Sequence, residues 1–255
     1  MVTATPYVPD LDFFRGSYGA KNVIPLFRDA AGRYPNVTAG LLDQLTSVLG
    51  EPVQSEQLLA YVYGLTATAA FAERFADELG EAPGPVRVPM TTDRVLFGEV
   101  VALGEELLWL HTWGERCANG KSFPDPTAVE ISPVHHYPED FSWSAADDVL
   151  HVGDGQFGPV SQEVWEFEVS GLKVLQSWLG YRMKNGKGRK SSDLDKIRPE
   201  RWTSSSELLT LLAILEGTIE RTPRGARLLE RVVTGPLITA DSLPTPTELE
   251  RRPPN

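Results

Sequence analysis

Cysteine is nearly absent: Cys117 stands alone among 255 residues, which excludes an internal disulfide and any zinc cluster built on cysteines. Long apolar runs are missing too. No window approaches the ~18 consecutive apolar residues of a membrane helix, and Met1-Val2-Thr3-Ala4-Thr5-Pro6 has no basic stretch leading into an apolar one, as a secretory signal would. A soluble, cytoplasmic protein without a membrane partner is expected. Positive charge is scarce: 24 Lys and Arg face 35 Asp and Glu, a net charge of −11, which argues against a protein that grips phosphate over its whole surface.

Catalytic signatures are equally sparse. There is no Gly-x-Ser-x-Gly elbow, and Cys117 has no catalytic context. Gly186-Lys187-Gly188-Arg189-Lys190-Ser191 looks superficially like a phosphate loop but fails in spacing and lacks a preceding strand. No Gly-rich dinucleotide fingerprint follows a strand. His135 and His136 are adjacent, so their side chains diverge in extended chain and form no two-ligand face. The expectation is no catalytic residue, no metal site and no cofactor in this chain. A hydrolase built on His135, His136 and the acids Glu139, Asp140, Asp147 and Asp148 ranks below the binding functions.

The remainder has the composition of a folded protein, with 41% hydrophobic residues. Val23-Ile24-Pro25-Leu26-Phe27 suggests a short edge strand. Between 41 and 113 the apolar period is helical. Ser55 caps a helix with Leu58, Leu59, Val62 and Leu65 inward; Thr68 caps another with Phe71, Phe75 and Leu79, stopped by Gly80; a third carries Leu96, Val100, Leu103, Leu107 and Leu110. Residues 114–148 read mostly as loop, with Val129 and Ile131 in a short strand. Val149–Val152 and Gln156–Val160 flank Gly153-Asp154-Gly155, a hairpin signal. Val164–Val169 alternates like a strand with Trp165, Phe167 and Val169 inward, and Ser170 caps a helix burying Leu172, Leu175, Trp178 and Leu179. Ser204-Ser205-Ser206-Glu207 fits a capping box before Leu208–Ile219, and Thr222-Pro223 starts a last helix that ends near Gly235-Pro236. These elements give an α+β, helix-rich fold: a helical layer in the first half, and a small antiparallel sheet with helices in the second. They form a single domain over 1–240, with a helical subregion near 41–113, an α+β subregion near 129–235, and a disordered tail over 241–255.

The scarce positive charge is concentrated. Arg182, Lys184, Lys187, Arg189, Lys190, Lys196, Arg198 and Arg201 fall within twenty residues that hold only three acids, Asp193, Asp195 and Glu200. The window is therefore +5 and the rest of the chain −16. A solvated loop is the bland alternative. The residue types nonetheless suit a polyanion: lysines for phosphates, arginines that can grip guanine, Ser191 and Ser192 hydroxyls, and glycines 186 and 188 for close backbone approach. Composition alone leaves DNA, RNA and an acidic protein surface open.

Three blocks carry a resemblance. Asp12–Asp29 (DFFRGSYGAKNVIPLFRD), Val164–Met183 (VWEFEVSGLKVLQSWLGYRM) and Gly188–Trp202 (GRKSSDLDKIRPERW) are similar to the C-terminal specificity domain of type ISP restriction–modification enzymes, and the likeness runs from about residue 10 to 240. The resemblance implies a DNA target-recognition module of a restriction–modification or phage-defence system. In that family the domain follows an N6-adenine methyltransferase, itself behind an ATP-driven translocase and a nuclease. None of their motifs is here; Pro253-Pro254-Asn255 has the methyl-transfer tetrapeptide's residues in the wrong order. The resemblance thus implies the DNA-reading part without its catalysts, with duplex DNA as partner, acting either with separate methyltransferase, translocase or nuclease subunits or as a remnant put to another use. Arg15 and Lys21, beside glycines in the first block, join the basic segment as expected DNA contacts. The rival reading is an acidic interaction module that docks on a methyltransferase or nuclease and touches no DNA.

Overall fold

The computed structural model describes residues 4–7, 23–81, 86–120, 122–169, 171–185 and 197–251. It divides into two compact units, one of Met1–Asn119 with Arg221–Asn255, the other of Gly120–Glu220. The architecture is mixed α+β, as expected: eight α-helices, a four-stranded antiparallel sheet and a two-stranded one among the described residues.

The first unit holds α1 (Leu41–Leu49), α2 (Ser55–Thr66), α3 (Ala69–Arg74), α4 (Ala76–Glu81) and α5 (Arg94–His111), with the second part of a long helix, α8 (Ser205–Thr234). The α5 helix is the best-signalled element. Asp93 caps it, its Oδ1 accepting the Val95 and Leu96 amides at 2.8 and 3.1 Å. Leu96, Val100, Leu103, Leu107 and Leu110 are all buried, as the period predicts. Glycines let α2 and α5 pack backbone to backbone. A Cβ on Gly104 would lie 1.7 Å from the Ala60 carbonyl oxygen, and one on Gly64 would lie 2.6 Å from that of Val100.

Several expectations for this unit need correction. Val23–Phe27 is not a strand; Phe27 makes only an isolated bridge to Pro35. The α2 helix turns Ala60, Tyr61, Tyr63, Gly64 and Leu65 inward and leaves Leu59 exposed, because both tyrosines find partners for their hydroxyls. Tyr61 donates to the Pro89 carbonyl at 2.9 Å and accepts the Thr91 amide at 3.1 Å. The helix after Thr68 does not run through to Gly80. It breaks at Phe75 into α3 and α4, and Leu79 is exposed.

The second unit is built on β1 (Val129–Ser132), β2 (Phe141–Ser144), β3 (Val149–Val152) and β4 (Gly155–Gly158), in the order β1-β4-β3-β2. The hairpin forms as its sequence signals: Leu150 pairs with Phe157 and Val152 with Gly155, and the positive φ of the turn, 56°, falls on Gly153. Leu150, Val152, Phe157 and Val160 then face a core shared with α6 (Gln162–Glu166), α7 (Val174–Arg182) and the first part of α8, through Val164, Leu175, Leu179, Leu208 and Leu212.

Here too the elements differ from expectation. Residues 162–166 are helical, because the Ser161 hydroxyl accepts the Val164 amide and starts a turn. The helix places Trp165 near-parallel to Trp143, with ring centroids 6.0 Å apart. Only Glu168–Val169 is strand (β5), paired with Leu172–Lys173 (β6) around Gly171 at φ 81°. Leu172, expected inside, is therefore exposed, and α7 begins after Lys173; Ser170, its expected cap, lies outside the described residues. Pro223 starts no new helix: it sits inside the continuous α8, where it removes a single backbone donor.

Candidate nucleic-acid interface

The basic segment leaves the second unit at the end of α7. Of the expected contacts, Lys187, Arg189, Lys190, Ser191, Ser192, Lys196, Arg15 and Lys21 lie outside the described residues. Arg182, Lys184, Arg198 and Arg201 define where the segment departs and returns.

Both ends are rooted in the core. Met183 and Trp202 are buried, at 4% and 6% exposure, while Lys184, Asn185, Ile197, Glu200 and Arg201 are exposed. The Trp202 ring meets Phe157 edge-on, centroids 6.4 Å apart. The Arg198 Nε donates to the Met183 carbonyl at 3.3 Å, so the departing and returning chains are tied together at their base. The Lys184 amide donates to the Pro138 carbonyl at 2.8 Å and fastens the departing strand to the loop before β2. Close placement of the two ends follows from these bonds and needs no contact within the segment itself.

Two of the expected phosphate contacts already have carboxylate partners. The Arg182 guanidinium lies 3.8 Å from the Trp178 ring centroid and bonds Glu207 at 3.2 Å. Stacking one turn back along α7 fixes its direction. The Lys184 Nζ donates to Glu139 Oε1 at 2.6 Å, with both side chains more than half exposed. That hydrogen bond and the lysine charge hold the Glu139 carboxyl below its ordinary range. Exposed pairs of this kind are weakly held. Arg201 is exposed and makes no ion pair with a described residue. What sequence reasoning missed is the pairing of Lys184 and Arg182 with the carboxylates of Glu139 and Glu207. They lie 45 and 25 residues from their cations, and no local spacing announces them.

His135 and His136 serve the hairpin. Asp154 Oδ1 accepts the amides of His135 and His136 at 3.0 and 3.4 Å, and its Oδ2 lies 2.7 Å from His136 Nδ1. The His136 bond, followed by the backbone donors, holds the Asp154 carboxyl below its usual value. Asp147 accepts the Ser144 hydroxyl at 3.0 Å. Among the described residues no group of three His, Cys, Asp or Glu side chains could hold a metal ion. Burial, then the nearby Glu105 charge, raises the Cys117 thiol, the reverse of what an activated nucleophile needs. A shallow cavity in the first unit is lined by Glu51 and Glu105 with Phe97 and Val101; its two carboxylates repel a polyanion. No helix among the described residues is long and apolar enough to cross a membrane.

Residues 1–212 match a family model described as the type ISP C-terminal specificity domain. No curated protein matches the chain. Among solved structures, one similar chain belongs to the cryoEM structure of a DrdV–DNA complex, at 16% identity and a TM-score of 0.49, over 79% of this chain and 20% of that one. Another belongs to a nuclease-deletion mutant of the type ISP restriction–modification enzyme LlaGI in complex with a DNA substrate mimic, at 15% identity and a TM-score of 0.43, over 71% and 14%. The chain thus spans a fifth or less of the length of these two chains.

Proposed function

Because the chain belongs to the family of type ISP C-terminal specificity domains, we propose that it is a DNA target-recognition module of a restriction–modification or phage-defence system. It binds duplex DNA through the basic Gly-rich segment 182–201 and carries out no catalysis of its own. The match over residues 1–212 is the observation that carries this reading. The rooting of the segment on Met183 and Trp202 supports it, since a fixed base defines where the chain leaves and returns. Lys187, Lys190 and Lys196 meet phosphates, with Ser191 and Ser192 as neutral donors. One or two of Arg189, Arg198 and Arg201 read base edges. Arg15 and Lys21 add backbone contacts.

A net charge of −11 opposes tight binding by the chain alone. Separate methyltransferase, translocase or nuclease subunits that clamp the duplex supply the remaining affinity, and the acidic surface is where they dock.

The test is a gel shift of the full chain on duplex at about 50 and about 200 mM salt. Binding at the lower concentration that falls steeply at the higher one is expected. Arg189→Ala and Lys190→Ala should weaken binding for every sequence if they meet phosphate. If Arg189 reads guanine, its loss relaxes one base position by about 1–3 kcal/mol. Absence of any shift at low salt, together with capture of a methyltransferase or nuclease subunit, would replace DNA reading with a docking role.

A further inference from the structure

The basic segment is cationic by sequence, yet the two cations at its departing end do not face solvent unopposed. Lys184 Nζ sits 2.6 Å from Glu139 and Arg182 Nη2 sits 3.2 Å from Glu207. The carboxylates come from two different elements, the loop before β2 and the first turn of α8. We infer that Glu139 and Glu207 are internal competitors of the DNA phosphates: they occupy the flank cations in the free protein and must be displaced before those cations can grip a backbone.

The inference rests on the DNA-reading proposal and adds to it a brake on backbone affinity. Phosphates are present on every duplex, so free cations strengthen binding to any sequence equally. A cation with an internal partner gains less from a phosphate, because the carboxylate it abandons must be resolvated. Backbone affinity therefore weakens by the same factor for every sequence. The geometry suits exchange rather than permanent neutralisation. Lys184 and Glu139 are 55% and 64% exposed at their side chains, so either can turn to solvent at small cost. Arg182 is held more firmly, since Trp178 stacks beneath it and only 34% of its side chain is exposed. Lys184 is the first to exchange, and Arg182, held by its stack on Trp178, exchanges less readily.

A double-mutant cycle on the full chain tests this with a random-sequence duplex as the probe. Glu139→Gln should bind about two- to five-fold tighter than wild type at about 50 mM salt. Its plot of log affinity against log salt should steepen by up to about 0.9, as a phosphate contact made in only part of the wild-type complexes becomes complete. In a Lys184→Met background the same substitution should change neither quantity, because the cation it frees is gone. Glu163→Gln, at an exposed carboxylate of α6 that pairs with no described cation, controls for the general loss of a negative charge and should leave the slope unchanged. If Glu139→Gln matches wild type in affinity and slope while both bind, the competitor inference falls and the DNA reading stands. Equal gains from Glu139→Gln with and without Lys184 also overturn it, since repulsion at a distance would then suffice. If neither protein binds duplex at the lower salt, both readings fall together.

Discussion

The helical unit encloses an imidazole and holds a half-buried carboxylate between two arginines, whereas the ion pairs described in the sheet-containing unit stand at the surface. Tyr63 donates or accepts across 2.7 Å to His111 Nδ1, and burial pushes that imidazole down to about 4. Burial alone would raise the Glu106 carboxyl, yet Arg224 and Arg221, at 2.8 and 2.7 Å, hold it below its usual range. The other unit keeps Lys184, Glu139 and His136 well exposed. Enclosed charges are expensive to rearrange and so hold a fold in one state. Exposed pairs contribute little and are free to change partner. The half-buried pairs brace the first unit, while the exposed ones in the second are free to change partner.

The largest expected effect breaks the rigid side of this contrast. Gly104→Ala should destabilise the protein by about 3 kcal/mol or more in urea titrations, because the new methyl group would meet the Ala60 backbone rather than a side chain that can move. Gly98→Ala lies on the same helix with nothing within 4 Å, and should stabilise by about 0.5–1 kcal/mol through helix propensity alone. Equal effects at the two positions would mean that α2 and α5 do not pack as closely as described.

The next effect depends on pH. Unfolded, His111 titrates near its ordinary 6.5, while folded it titrates near 4. Between these values the unfolded chain binds a proton that the folded chain refuses, so acid favours unfolding. The contribution is whole above about 6.5 and is lost as pH falls towards 4, up to about 3 kcal/mol. His111→Gln should flatten that part of the stability profile, whatever its cost at pH 7. Parallel profiles for variant and wild type would show that the imidazole is not enclosed.

What could be read from the sequence follows the reach of each signal. The α5 helix and the β3–β4 hairpin are written in local pattern, a five-residue apolar stripe and two apolar runs around Gly153-Asp154-Gly155. Both form, although that pattern does not announce the Asp93 cap and the turn falls on Gly153-Asp154 rather than Asp154-Gly155. Trp165, Phe167 and Val169 alternate like a strand, but the Ser161 hydroxyl and the stack on Trp143 decide for helix, and the second of these depends on a residue 22 positions away in the chain. Pro223 reads as a boundary because it lacks a donor. The helix passes through it, with Arg221 and Arg224 on either side bonded to Glu106. The candidate site divides in the same way. A run of cations is visible in composition, but the carboxylates that oppose it, and the Met183 and Trp202 anchors that root it, emerge only when the chain is folded.

The most direct test sets the two units against each other by salt titration on duplex DNA. One variant of the full chain changes Lys187, Arg189, Lys190 and Lys196 to Gln; the other changes the exposed Arg74, Arg87, Arg94 and Arg227 of the helical unit to Gln. Both lose the same charge, so any difference is a matter of place. The account predicts that the first variant loses most of its affinity and about 3–4 from its log–log salt slope, while the second keeps the wild-type slope. Equal loss in both, or none in the first, would contradict it.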